Sequence, residues 1–172
     1  MASIQNRMIR AAQLDVQLYE EVEADQGATF QAMTVVILSA VAAGIGSASA
    51  GLLAIVIGMI GALIGWYVWA FLTYFIGTKL LSEPQTRADH RELLRTIGFS
   101  SAPGLIRALG IIPGLRTPLF LVAGIWMLVA MVIGVRQALD YTSTWRAISV
   151  CGIGWVVQIL ILLIAMSMVG AP

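Results

Sequence analysis

The sequence predicts an all-α protein: a polytopic transmembrane helical bundle of about five spans, with an N-terminal amphipathic interfacial helix. Three observations point there. Of the 172 residues, 59% are hydrophobic and 11% charged, and the mean hydropathy is +0.91. A soluble domain of this length needs far more charge to cover its surface. The apolar residues also fall in runs of roughly twenty, the length of helix that crosses a hydrocarbon core about 30 Å thick. Finally, the polar residues gather between those runs, so lipid is the solvent for most of the chain.

The elements follow in chain order. Residues 1–27 are polar with a helical period: Ile4, Met8, Ala11, Leu14, Leu18 and Val22 recur at three- and four-residue steps. Arg7, Arg10, Asp15 and Glu20 lie largely off that stripe. The expected element is one cytoplasmic amphipathic helix, resting on the membrane surface or against the bundle. Glu20, Glu21, Glu23 and Asp25 form an acidic patch before the first span, read as a solvated helix end. The transmembrane domain occupies 28–172, with spans at about 28–48, 51–76, 97–115, 117–139 and 147–169.

Only Ser49 and Ala50 separate the first two spans, which implies a tight antiparallel hairpin. Ala48-Ser49-Ala50 also fits a leader-cleavage pattern, but the polar segment before it carries more acids than bases, so the first span is read as an anchor. The second run, 26 residues, is roughly 39 Å long as a helix and must tilt or project from the bilayer. Within Lys79–Arg95, Thr86 followed by Asp89 fits a capping box, and a short helix is expected to begin there. Arg87, Arg91 and Arg95 are spaced by four and form one basic stripe at the inner leaflet, suited to anionic headgroups. Pro103, Arg107 and Pro113 interrupt the third run, and a turn through Asp140 and Arg146 joins the last two. There is no Pro-, Ser- or Gly-rich linker, no second domain, and no repeat between the halves of the kind found in many transporters.

Orientation follows from Lys and Arg in short loops. With five spans and the N-terminus inside, the cytoplasmic side holds eight: Arg7, Arg10, Lys79, Arg87, Arg91, Arg95, Arg136 and Arg146. The outside holds one, Arg116, and Arg107 is left in the membrane. A re-entrant third segment would give seven against two, so five spans with the C-terminus outside are preferred.

Little here suits catalysis. The net charge of +1 gives no field for nucleic acid or acidic substrates. Cys151, the only cysteine, sits in an apolar run and reads as a small buried hydrophobe, which excludes a CxxC site. His90, the only histidine, lies beside Asp89 and Glu92, too few ligands for a metal. Ser100 and Ser101 have no base at their depth, no GxSxG is present, and no acid is embedded for a proton relay. No catalytic residue, metal or cofactor is expected. Arg107 is the one charge within a span; its expected partners are Gln158 and freed backbone carbonyls, and its expected role is structure or lipid contact. Gly58, Gly61 and Gly65, with Ala54 and Ala62, mark a small-residue helix-packing face expected to pack within the chain.

A family resemblance becomes visible on two stretches. Leu94-Arg95-Thr96-Ile97-Gly98-Phe99-Ser100-Ser101-Ala102-Pro103 resembles the start of the third span in the Yip family, the Ypt/Rab-interacting membrane proteins. Gly134-Val135-Arg136-Gln137-Ala138-Leu139-Asp140-Tyr141-Thr142-Ser143-Thr144-Trp145-Arg146-Ala147 is similar to that family's turn between spans four and five. The resemblance implies five spans, a cytoplasmic N-terminus and a role in organising membranes or binding partners; eukaryotic members bind prenylated Rab GTPases. This chain lacks their Asp-Leu-Tyr-Gly-Pro motif, Asp15-Val16-Gln17-Leu18-Tyr19 being no substitute, which points to the prokaryotic branch.

The expected protein is therefore a multi-pass protein of a prokaryotic plasma membrane, acting through protein or lipid contacts in membrane organisation or scaffolding. Its expected partners are membrane lipids and other membrane proteins, in a homo-oligomer or a larger complex, and not nucleic acid. Arg87, Arg91, Arg95 and Arg107 are its candidate lipid- or partner-binding residues. The alternatives are a small channel or transporter, or an accessory subunit of a larger energy-transducing complex.

Overall fold

The computed structural model describes residues 3–47 and 51–169, the side chains of 162 and 164–169 excepted. The described residues are helical, with no strand among them. In chain order they form α1 (Ile4–Ala12), α2 (Val16–Ala24), α3 (Ala28–Gly46), α4 (Leu52–Phe75), α5 (His90–Phe99), α6 (Arg116–Ala138) and α7 (Thr144–Val169). A π-helical turn, Ile76–Leu80, extends α4, and a 3-10 segment, Ala102–Ile111, follows α5. The turn expected at Ser49 and Ala50, with the Ala48-Ser49-Ala50 pattern, lies outside the described residues.

Four helices are long and apolar enough to cross a membrane: Ala28–Gly46, Leu52–Leu80, Arg116–Ala138 and Thr144–Ile161. The fifth crossing is the broken run of α5 and the 3-10 segment. Pro103 has no N–H, and its ring would clash with the carbonyl of Phe99 in a continuous α-helix. The chain therefore tightens into 3-10 geometry, which rises about 2.0 Å per residue against 1.5 Å in an α-helix. The ten 3-10 residues give roughly 20 Å, and the apolar end of α5 from Ile97 adds to that.

The contacts show this run going up beside α3. A Cβ on Gly98 would meet that of Ala32 at 2.7 Å, Gly104 abuts Ser39, and Gly110 lies against the carbonyl of Gly46. These three glycines are small because α3 is that close. α4 returns antiparallel to both: Gly44 meets Ile55 near the turn, and the Trp66 indole donates to the Leu94 carbonyl at 2.9 Å. α6 descends from Phe120, beside Gly110, to Gly134, against Tyr19 and Ser100. α7 rises from Arg146, which donates to the Leu81 carbonyl, to Gly154 beside Trp69. These contacts set α3 and α7 running the same way.

The N-terminal region differs from the single helix the periodicity suggests. It is two helices, because Leu14 takes a left-handed φ of 61° and Asp15 caps α2, its carboxylate accepting from the Gln17 N–H at 3.0 Å. The hairpin folds against the bundle, burying Leu18, Tyr19 and Val22 with Phe99 and Ala102. Its lower end meets the end of α6, where Gln137 donates to Glu20 at 2.8 Å. Its corner reaches the middle of α6, where the Trp126 indole donates to the Ala12 carbonyl at 2.8 Å.

The acidic patch is likewise no solvated helix end. Arg7, 3% exposed, donates to Glu21 and Asp25 at 2.8 Å and to Gln31 at 3.1 Å. Arg10 pairs with Asp15 at 2.7 Å and Glu21 at 2.6 Å. Hydrogen bonds from these two arginines hold the carboxyls of Asp15, Glu21 and Asp25 below the usual carboxylate range.

A second core lies at the same end between α4, α5, α6 and α7, around Leu93, Ile97, Val135, Leu139 and Val150, with Cys151 buried in it. The loops latch over it. The Tyr141 hydroxyl lies 2.9 Å from the carbonyl oxygens of Gly77 and Leu81, and Glu83 accepts from the Thr142 N–H at 3.1 Å. Elsewhere α4, α6 and α7 expose Ile57, Ile60, Ile64, Leu121, Ile125 and Val156, the wall expected against lipid.

Candidate functional site

A charged side chain in the 3-10 segment organises the site. Arg107 stands in the 3-10 segment, whose tight winding frees carbonyls near it. Its Nε donates to the Gly104 carbonyl at 3.0 Å, and its Nη2 donates to the carbonyl and Oγ of Ser39 at 3.1 and 2.6 Å. Ser39, buried at 2% exposure, lies eleven residues into α3, about 16 Å along the crossing. The freed-carbonyl partner expected from sequence is thus met by Gly104 and Ser39, while Gln158 makes no bond to Arg107. The guanidinium also sits 6.0 Å from the Phe120 ring centroid, and Arg116 approaches the same ring at 6.0 Å. Among the described residues no carboxylate pairs with Arg107.

Arg107 opens onto a cleft of about 790 Å³ between α3, α4, the 3-10 segment and α7. Its walls are mostly apolar or small: Ala43, Gly44, Ala54, Gly58, Ala62 and Gly65 on one side, with Trp66, Trp69 and Trp155 towards the other end. Two lining residues carry buried polar atoms without a hydrogen-bond partner, Trp69 Nε1 and Gln158 Oε1.

The helix-packing expectation is corrected here. A Cβ added to Gly58, Gly61 or Gly65 would meet nothing within 4 Å, so no described span packs on that face. The close approaches fall instead at Gly44, Gly46, Gly77, Gly98 and Gly104. Gly58 and Gly65 line the cleft, and Gly61 points away from it.

The basic stripe is also divided. α5 begins at His90, capped by Asp89 with Glu92 closing a capping box, three residues later than Thr86 implied. Arg87 therefore precedes the helix and shares no helical face with the others. Arg87 and Arg91 are exposed, as is Lys79, and none of the three has an ion-pair partner among the described residues. Arg95 is only 4% exposed: its Nε donates to the Val22 carbonyl at 2.8 Å and its Nη2 to that of Glu23, tying α2 to α5. It is a structural strut, not part of a surface.

His90 sits in an aromatic cage, with Tyr67, Phe71 and Tyr74 edge-on at 5.0, 6.0 and 6.2 Å. Among the described residues no three His, Cys, Asp or Glu side chains come together as metal ligands would. Sequence reasoning missed Ser39, Trp69 and Trp155 as cleft residues. The only signal for Ser39 was a hydroxyl inside an apolar run, and its partner is 68 residues away.

Comparison with known proteins adds one finding: the family model of the Yip1 domain matches residues 18–166, from within α2 to near the end of α7. No curated protein and no solved structure matches.

Proposed function

The chain belongs to the Yip1 domain family, and from that membership we propose that it acts by binding, through protein or lipid contacts made on the face that carries α1, α2 and the 81–89 loop. The observation that supports this reading is the trio Lys79, Arg87 and Arg91. The other basic residues of that face, Arg7, Arg10, Arg95, Arg136 and Arg146, are each held by a carboxylate or carbonyl. The trio alone stays exposed and unpaired there among the described residues, free to meet anionic headgroups or an acidic partner. Each such residue contributes about 1 kcal/mol near an anionic surface. This face is the cytoplasmic one by the distribution of basic residues, in a multi-pass protein of the plasma membrane.

The test is the double variant Arg87→Glu/Arg91→Glu, with Arg95 left in place because it holds α2. In nanodiscs of mixed phosphatidylglycerol and phosphatidylcholine, the variant is expected to retain several-fold less phosphatidylglycerol and to lose partners that co-purify from native membranes. Topology is checked in the same variant. A correctly inserted variant that keeps its lipids and partners moves the working face elsewhere.

A further inference from the structure

We propose that the cleft beside Arg107 is a binding site within the membrane for a single-chain anionic lipid, its head on Arg107 and its tail along Ala54, Gly58 and Ala62. The inference goes beyond the surface contacts proposed above and does not depend on them.

Charge decides the head group. Arg107 is a cation at depth with no carboxylate on it among the described residues, and Arg116 adds a second positive charge across the Phe120 ring. Three of its donors are engaged by Gly104 and Ser39, but Nη1 has no acceptor among the described residues. An unneutralised charge at this depth is expensive, and an anion brought by a ligand offsets that cost. Trp69 Nε1, towards the other end of the cleft, is a further buried and unpartnered donor in its wall. Ser39 lies eleven residues into the nineteen-residue α3, so the guanidinium that reaches it stands near the middle of that helix.

Shape decides the tail. The cleft falls within the roughly 300–1,000 Å³ common for small-ligand sites. Its α4 wall has no side chain larger than methyl at Ala54, Gly58 and Ala62, which leaves a slot along the helix. Nothing within 4 Å fills the space a Gly58 Cβ would enter. A chain of methylenes suits such a slot, and a head group at mid-depth suits one chain better than two, because no room for a glycerol backbone is needed there.

The cleft holds its own reporters, since Trp66, Trp69 and Trp155 line it. Full-length protein in a neutral detergent is titrated with dibromostearate, whose bromines quench indole fluorescence, and in parallel with the methyl ester of the same acid. The expected result is saturable quenching by the acid, with the ester and Arg107→Gln each weakening it at least tenfold. Arg107→Lys is expected to retain binding. Gly58→Leu, which keeps Arg107 and closes the slot, is expected to abolish the saturable phase; this variant also carries the test should Arg107→Gln fail to fold. Equal quenching by acid and ester would overturn the proposal, as would unchanged binding in Gly58→Leu. Displacement of dibromostearate by acetate alone would likewise overturn it, by assigning the site to a free anion instead of a lipid.

Discussion

Glu23 lies near the end of α2, partly buried, facing Glu92 of α5, Asp140 at the end of α6 and Glu20 on its own helix. Burial first, and then the repulsion of these carboxylates, pushes its pKa up to about 7, against an opposing pull from Arg95. An unfolded glutamate loses its proton near pH 4.3, so between there and about 7 the folded state holds a proton that the unfolded state has released. Stability at this residue is therefore full at acid pH and falls as pH rises through that interval. Glu23→Gln is expected to raise the Tm at pH 8 and to leave it unchanged at pH 4. An equal shift at both pH values, read by thermal unfolding in detergent, would tie the effect to packing instead. None of this was legible in the run Glu20, Glu21, Glu23, Asp25, which looks like one solvated patch. Neighbours in sequence separate in the fold: Glu21 and Asp25 face Arg7, while Glu23 faces three other acids. Arg95 teaches the same point, because its four-residue spacing from Arg91 is visible and its carbonyl partners, 72 and 73 residues away, are not.

Among the elements, the long apolar helices were plain from their length alone, since crossing a bilayer imposes the same requirement on each of them. The broken crossing was located but not its winding. Pro103 predicts that an α-helix stops; that ten residues then continue as 3-10 depends on α3 lying close enough to fit only Gly98, Gly104 and Gly110. Small-residue spacing was the misleading signal. It marks where helices are able to approach, and on α4 it lines a cleft, whereas the closest contacts with α3 use Gly98, Gly104 and Gly110, six residues apart instead of four. Leucine at Gly58 or Gly61 is thus expected to leave the Tm in detergent unchanged or slightly raised, helix propensity favouring the change. Leucine at Gly98 is expected to cost about 1–3 kcal/mol, as overpacking does elsewhere. Destabilisation by Gly58→Leu as large as by Gly98→Leu would mean that another helix covers the α4 face.

At the scale of the whole molecule, an odd number of crossings fixes the relation of the two ends. Reporters joined before Met1 and after Pro172 are expected to be active on opposite sides of the membrane, the first in the cytoplasm. Activity of both on one side would mean that the α5 and 3-10 run turns back before crossing. The N-terminal hairpin adds something the count of spans does not express. From Gln137 at its lower end to Trp126 at its corner, it accompanies α6 for only half of the crossing. Among the described residues, seven helical elements therefore lie side by side at the end that holds the hairpin and five at the other, so the body is broader at one end than at the opposite one.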